Sequence, residues 1–117
     1  MSKNILKVKS YTFAINVVKL AQFLVKEQKE FVLSKQFLRS GTAIGALIRE
    51  AEFAQSKPDF IHKMSISLKE ANETLYWLDL LKDTNYISIE NHISLIKENK
   101  ELVAMLVSSI KTTKSRL

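Results

Sequence analysis

The chain contains no cysteine, one proline and only two glycines in 117 residues. Without cysteine there is no disulfide, no thiol nucleophile and no thiolate metal ligand, and this usage agrees with a reducing compartment, so a cytoplasmic protein is expected. One proline and no low-complexity segment leave little room for disorder except at the ends. Long hydrophobic runs are missing too. The longest stretches without a charged residue are nine long, as from Leu102 to Ile110, whereas a membrane-spanning helix needs about 20 apolar residues. Met1 to Lys7 holds neither a long apolar segment nor a cleavage site, so it does not read as a secretion signal. Also absent are a Gly-x-Ser-x-Gly elbow and a Gly-x-x-x-x-Gly-Lys phosphate loop. The expectation is a non-enzymatic protein without a cofactor and without a membrane partner.

What is present suits one domain over residues 1–117. Hydrophobic residues make up 46% and charged residues 26%, as in an ordinary globular chain long enough to bury its own core. Four amphipathic segments follow one another. Residues 1–9 look like a basic lead-in. A first helix is predicted over about 11–27, with Phe13, Val17, Leu20 and Leu24 at helical spacing and Ala14, Val18, Ala21 and Val25 widening its apolar face. A second is predicted over about 34–54, capped by Ser34, with Phe37, Gly41, Ile44, Ile48 and Ala51 inward. The third, over about 58–82, follows Ser56 or Lys57 as cap, with Pro58 in its first turn and Asp59 at its positive end. Its stripe is Ile61, Met64, Leu68, Ala71, Leu75 and Leu78. The fourth, over about 88–112, is capped by Ser88 and carries Ile89, Ile93, Ile96, Val103, Leu106 and Ile110, interrupted by Asn99 and Lys100. Nothing alternates like a strand. Four such helices with short links give an all-α, up-down-up-down antiparallel four-helix bundle.

The two glycines sit at positions 41 and 45, four apart inside the second segment. A helix-interior glycine costs roughly 1 kcal/mol relative to alanine, so close approach of another helix is the favoured explanation. The alternative is that Gly41 ends one short helix and Thr42 caps the next.

The net charge of +6 is unevenly placed. Residues 10–110 carry twelve basic and twelve acidic side chains, so the excess is Lys3, Lys7 and Lys9 at one end and Lys111, Lys114 and Arg116 at the other. Each set read alone is a solvated tail. In an up-down-up-down bundle, however, both chain ends and the link between helices 2 and 3 meet at one pole, with Lys57 and Lys63 close by. These eight cations are candidates for binding nucleic-acid phosphates, whose affinity would fall steeply with salt. No helix-turn-helix, zinc knuckle or base-stacking motif is present, so sequence-specific readout is not expected. Tyr76 and Trp77, with the wide face of helix 1, are candidates for a self-association surface. Arg39 and Arg49 are interface candidates expected to pair with Glu50, Glu52 or a neighbouring subunit's carboxylate. His62 and His92 read as surface or helix-end residues, because the paired Glu-x-x-His motifs of a di-metal bundle are missing.

Arg39 to Ala51 reads Arg-Ser-Gly-Thr-Ala-Ile-Gly-Ala-Leu-Ile-Arg-Glu-Ala. It is followed by Ser56-Lys57-Pro58-Asp59-Phe60, by Lys69-Glu70-Ala71-Asn72-Glu73-Thr74 and by Tyr76-Trp77-Leu78. Together these resemble the bacterial four-helix-bundle proteins encoded in intervening sequences of 23S ribosomal RNA genes. The accessory proteins of diversity-generating retroelements are similar. The resemblance implies a non-enzymatic bundle that assembles as a ring, typically a homopentamer. For the retroelement relatives it also implies binding to nucleic acid and to a separate reverse transcriptase. Two positions depart from the family pattern: Leu47 stands where Asn is usual and Ala43 where Ser is frequent, so a polar contact across the bundle is lost at Leu47. The resulting expectation is an oligomeric bundle that binds ribosomal or other structured RNA, or DNA, with low sequence specificity, in the manner of a ribonucleoprotein scaffold. The alternative is a protein–protein interaction scaffold that binds no nucleic acid.

Overall fold

Each of the four predicted segments is a helix. In the computed structural model, which describes residues 2–117 with side chains from Ile5 onward, these are α1 (Ser2–Lys26), α2 (Leu33–Ala51), α3 (Lys57–Asp83) and α4 (Ile89–Lys114). The described residues contain no strand. Sequential helices pack side by side and α4 returns against α1, while the backbones of the diagonal pairs α1/α3 and α2/α4 stay more than 8 Å apart. The result is an antiparallel four-helix rod of 47 × 21 × 20 Å.

The start of α1 differs from its prediction. Lys7 and Lys9 lie inside the helix, not in a lead-in. The reason is Leu6 and Ser10, both buried, which extend the inward stripe of Phe13, Val17, Leu20 and Leu24 by two turns toward the N-terminus. Polar residues between them face outward and do not interrupt the helix.

Three helix starts show how the links are held. Ser56 caps α3 by accepting from the Asp59 amide at 3.2 Å, and the Asp59 carboxylate accepts in return from the Gln55 amide at 3.1 Å. Ser88 caps α4 by accepting from the Asn91 amide at 3.0 Å. The cap predicted at Ser34 is replaced. The helix opens one residue earlier, and the buried Glu30 carboxylate accepts from the amides of Val32, Leu33 and Ser34 at 3.2, 3.0 and 2.7 Å. Ser34 donates its hydroxyl back to the Glu30 carbonyl at 2.7 Å. A carboxylate satisfies three orphan amides where a hydroxyl would satisfy one, and it also meets the positive end of the helix dipole.

Both glycines are interior to α2 with right-handed backbone, so neither ends a helix. They are contact points for α1. A Cβ on Gly41 would lie 2.7 Å from Val17 Cγ1, and one on Gly45 would lie 3.3 Å from Ser10 Oγ. With both glycines used there, the left-handed turn positions after α1 and α3 fall to Lys29 (φ 54°) and Asn85 (φ 66°).

The core includes Phe13, Leu24, Phe37, Ile44, Leu78, Leu81, Leu102 and Leu106, all essentially inaccessible. The stripe predicted for α4 is rotated. Ile89 and Ile93 are exposed, and the buried line is Leu95, Asn99, Leu102, Leu106 and Ile110. Asn99 therefore belongs to the core; its amide donates to the Ala71 carbonyl at 3.2 Å. Two further polar contacts join α2 to α3 inside the rod. Thr74 donates to Ser40 Oγ at 2.9 Å, and Ser67 donates to the Ile44 carbonyl at 3.0 Å.

Candidate nucleic-acid interface

The topology places the N-terminal turns of α1, the α2–α3 link and the C-terminal turns of α4 at one pole. Lys57, at the start of α3, donates to the Arg116 carbonyl at 2.8 Å. Lys7 of α1 pairs with Glu52 after α2 at 3.1 Å. Lys9 pairs with Glu101 at 3.4 Å, which places it about 15 Å down the rod from Lys111 at 1.5 Å per residue. The cations thus form a stripe running off the pole, not a single cluster. Lys3 lies outside the described side chains.

The eight candidates divide by what they touch. Lys7 and Lys9 are paired as above, and Lys63 lies 3.9 Å from both Glu50 and Asp59. Lys7 and Lys9 were expected in a solvated tail with Lys63 close by; all three are ion-paired, because the antiparallel register sets Glu52, Glu101 and Glu50 opposite them and Asp59 lies one turn before Lys63 on α3. Such exposed pairs contribute about 0–1 kcal/mol, so a phosphate can compete for the cation. Lys57 is engaged with a neutral carbonyl and keeps its charge uncompensated. Among the described residues, Lys111, Lys114 and Arg116 have no carboxylate within ion-pairing distance. The basic character of the pole is therefore carried by the last turn of α4 and the residues after it.

A cavity of about 520 Å³ opens at the same pole, with all four helices contributing to its wall. Leu6, Ile48, Phe60, Met64 and Met105 supply the apolar part, Glu52 and Arg116 stand on its margin, and Ser108, Ser109, Thr112 and Thr113 line the α4 side. The Thr113 hydroxyl is committed to the Ser109 carbonyl at 2.9 Å. Sequence reasoning passed over these hydroxyls. Their signal is the lack of large apolar side chains at positions 104, 108, 109 and 112, late in a helix that is otherwise rich in them.

The second set of candidates lies elsewhere. Arg39 does not pair with Glu50 or Glu52. It spans from α2 to α3, forming an ion pair and hydrogen bond with Glu73 and lying 3.5 Å from Glu70 Oε1. The Trp77 indole N–H donates to the same Glu73 oxygen at 2.9 Å. This indole contact, with the Arg39 guanidinium, holds the Glu73 carboxyl below its ordinary range against an opposing push from burial. Trp77 is half-buried against the core, and Tyr76 is exposed, its ring edge-on to Trp77 at 5.1 Å. Arg49 likewise does not pair with Glu50 or Glu52: its guanidinium lies over the Tyr11 ring at 5.1 Å. Glu50 and Glu52 follow α2 toward the pole and serve Lys63 and Lys7 instead.

No group of three or more His, Asp or Glu side chains converges as a metal site among the described residues. His62 is exposed, and His92 is hydrogen-bonded to Asp79 at 2.8 Å. Among the described residues no helix is long and apolar enough to cross a membrane.

Comparison with known proteins places this geometry in a family. No curated protein matches the chain. A crystal structure from Bacteroides thetaiotaomicron, described as a protein of unknown function from the S23 ribosomal protein family, is 58% identical, covers 95% of this chain and 99% of its own, and superposes with a TM-score of 0.94. The profile of the 23S rRNA-intervening sequence proteins matches residues 2–108, a span that takes in all of α1, α2 and α3 and most of α4. The chain belongs to the 23S rRNA-intervening sequence protein family.

Proposed function

We propose that this protein is a non-enzymatic, self-associating bundle of the cytoplasm whose basic pole binds nucleic acid with low sequence specificity. The observation that carries this reading is the set Lys111, Lys114 and Arg116, uncompensated among the described residues and placed beside Lys57 by the fold. Lys7, Lys9 and Lys63 add cations held only by exposed pairs. Phosphate binding needs such clustered charge and no special pocket, and it leaves sequence unread. Structured RNA is the favoured ligand, and ribosomal RNA is the natural first choice given the family. A separate reverse transcriptase is a partner only if the chain serves as the retroelement accessory proteins do.

Self-association is supported by the outer face of α1. Val8, Tyr11, Ile15, Val18 and Val25 recur at alternating three- and four-residue steps, with Gln22 completing the series, and all five apolar side chains are more than a third exposed. A helix apolar on both faces has a second neighbour to meet. A closed ring satisfies such a face on every subunit, and a homopentamer is the size the resemblance implies. Tyr76 offers a further exposed aromatic for that contact.

The test is titration of ribosomal RNA fragments at low and high salt. It compares the wild type with a variant in which Lys3, Lys7, Lys9, Lys111, Lys114 and Arg116 are changed to Gln. Binding by the wild type that weakens with salt and is lost in the variant supports the reading; equal binding by both refutes the basic pole as the site. No binding by the wild type favours the second reading, a protein–protein scaffold, for which the exposed α1 stripe is the supporting observation. Light scattering gives the subunit number directly, and a monomer would refute the ring.

A further inference from the structure

We propose that the cavity at the basic pole receives an unpaired nucleobase, so that the protein prefers single-stranded or looped nucleic acid over duplex. The inference rests on the nucleic-acid reading above and adds a ligand class and a site to it. At about 520 Å³ the cavity is within the range of small-molecule sites, roughly 300–1,000 Å³. Its composition suits a flat heterocycle. Phe60 and Met105, both partly exposed, give apolar surface over the buried Ile48 and Met64, and a methionine thioether makes favourable contacts with aromatic rings.

The polar groups are the informative part. Ser108, Ser109 and Thr112 line one side of the cavity, and none of their hydroxyls forms a hydrogen bond among the described residues. A hydroxyl both donates and accepts, so three of them can satisfy the mixed edge of any base without selecting one. That matches binding of low sequence specificity.

Charge then sets which end of a nucleotide enters. Glu52 lines the cavity with its Oε1 paired to Lys7 at 3.1 Å, which leaves its Oε2 to accept from an exocyclic amine. Arg116 stands at the margin, with Lys111 and Lys114 in the adjoining turns and Lys57 fastened to the Arg116 carbonyl. The base is directed inward and the phosphates stay at the rim. A base within a duplex is stacked and paired and cannot reach such a site, whereas an unstacked base in a loop or single strand can.

The experiment measures fluorescence anisotropy of a short labelled RNA, as a single strand and as a blunt duplex of the same sequence, at one low salt concentration. The proteins are the wild type and two cavity-filling variants, Ser109→Phe and Thr112→Leu, each checked for native helicity and cooperative melting. Thr112 is exposed, so its variant keeps the test alive if Ser109→Phe does not fold. The wild type is expected to bind the single strand about tenfold or more tightly than the duplex. The filled variants are expected to bind both at the duplex level. Equal wild-type affinity for the two forms, or a preference that survives in a folded filled variant, overturns the cavity proposal and leaves phosphate binding by the pole standing. Absence of wild-type binding to either form overturns the function proposed above, and this inference with it.

Discussion

Gly41 and Val17 touch so closely that a Cβ at position 41 would meet both Val17 methyl groups, at 2.7 and 2.8 Å. Val17 is fully buried and β-branched, so it cannot swing aside. Gly41→Ala should therefore lower stability even though alanine is the better helix former by about 1 kcal/mol. Overpacking typically costs 1–3 kcal/mol, so a net loss of about 1 kcal/mol is expected from urea unfolding. Val17→Ala should partly rescue it in a double-mutant cycle. Gly45→Ala meets Ser10 Oγ at 3.3 Å, a smaller conflict, and should be close to neutral.

The Glu30 cap predicts an unequal pair of substitutions. Glu30→Ala removes the acceptor of three amides at the start of α2 and should cost about 1–2 kcal/mol. Ser34→Ala removes one hydroxyl that donates to a carbonyl and should cost about 1 kcal/mol or less. Melting temperatures of the two variants, measured together, check the order. A larger loss from Ser34→Ala would mean that the serine is the principal cap.

Asn99 predicts a stabilising change. Its Oδ1 is buried with no hydrogen-bond partner among the described residues, while its amide is bonded to the Ala71 carbonyl. Asn99→Leu keeps the number of side-chain heavy atoms and the branch at Cγ, though its methyl groups are bulkier; it removes the buried acceptor and continues the apolar line of Leu95, Leu102 and Leu106. Stability should rise by about 1 kcal/mol, read as a higher denaturant midpoint with an unchanged slope.

Glu73 predicts an acid-sensitive contribution. The Trp77 N–H and the Arg39 guanidinium hold its folded-state pKa below the ordinary carboxylate value. The unfolded chain thus takes up the proton more readily than the folded one. The stability this supplies is complete above the unfolded pKa and is lost as pH falls through the lowered folded value. Glu73→Gln should therefore lower the melting temperature at neutral pH, and the gap to the wild type should narrow below about pH 4. A gap independent of pH would show that the carboxylate's charge contributes nothing.

Much of this was legible in the residues. The four helices, their links, the Ser56 and Ser88 caps and the use of the glycines for close approach follow from local spacing and side-chain chemistry. The inward stripes of α1 and α2 follow for the same reason. Less legible was the rotation of α4: with Ile89, Ile93 and Ile96 competing with Leu95, Asn99 and Leu102, the winning face depends on what the other three helices leave open. Arg39 was misassigned because Glu70 and Glu73 are more than thirty residues away along the chain and become neighbours only when α3 lies beside α2.

By itself the sequence determined the four helices, most of their ends and the Ser56 and Ser88 caps, since each depends on residues within a few positions, and it determined the excess of positive charge near the two chain ends; the start of α1 and the Glu30 cap of α2 were settled by burial. Tertiary structure alone decided which of those cations acquire carboxylate partners and which stay free, and it created the cavity beside them. Both depend on the register between antiparallel helices, a property of side-chain packing across the rod that no single segment encodes.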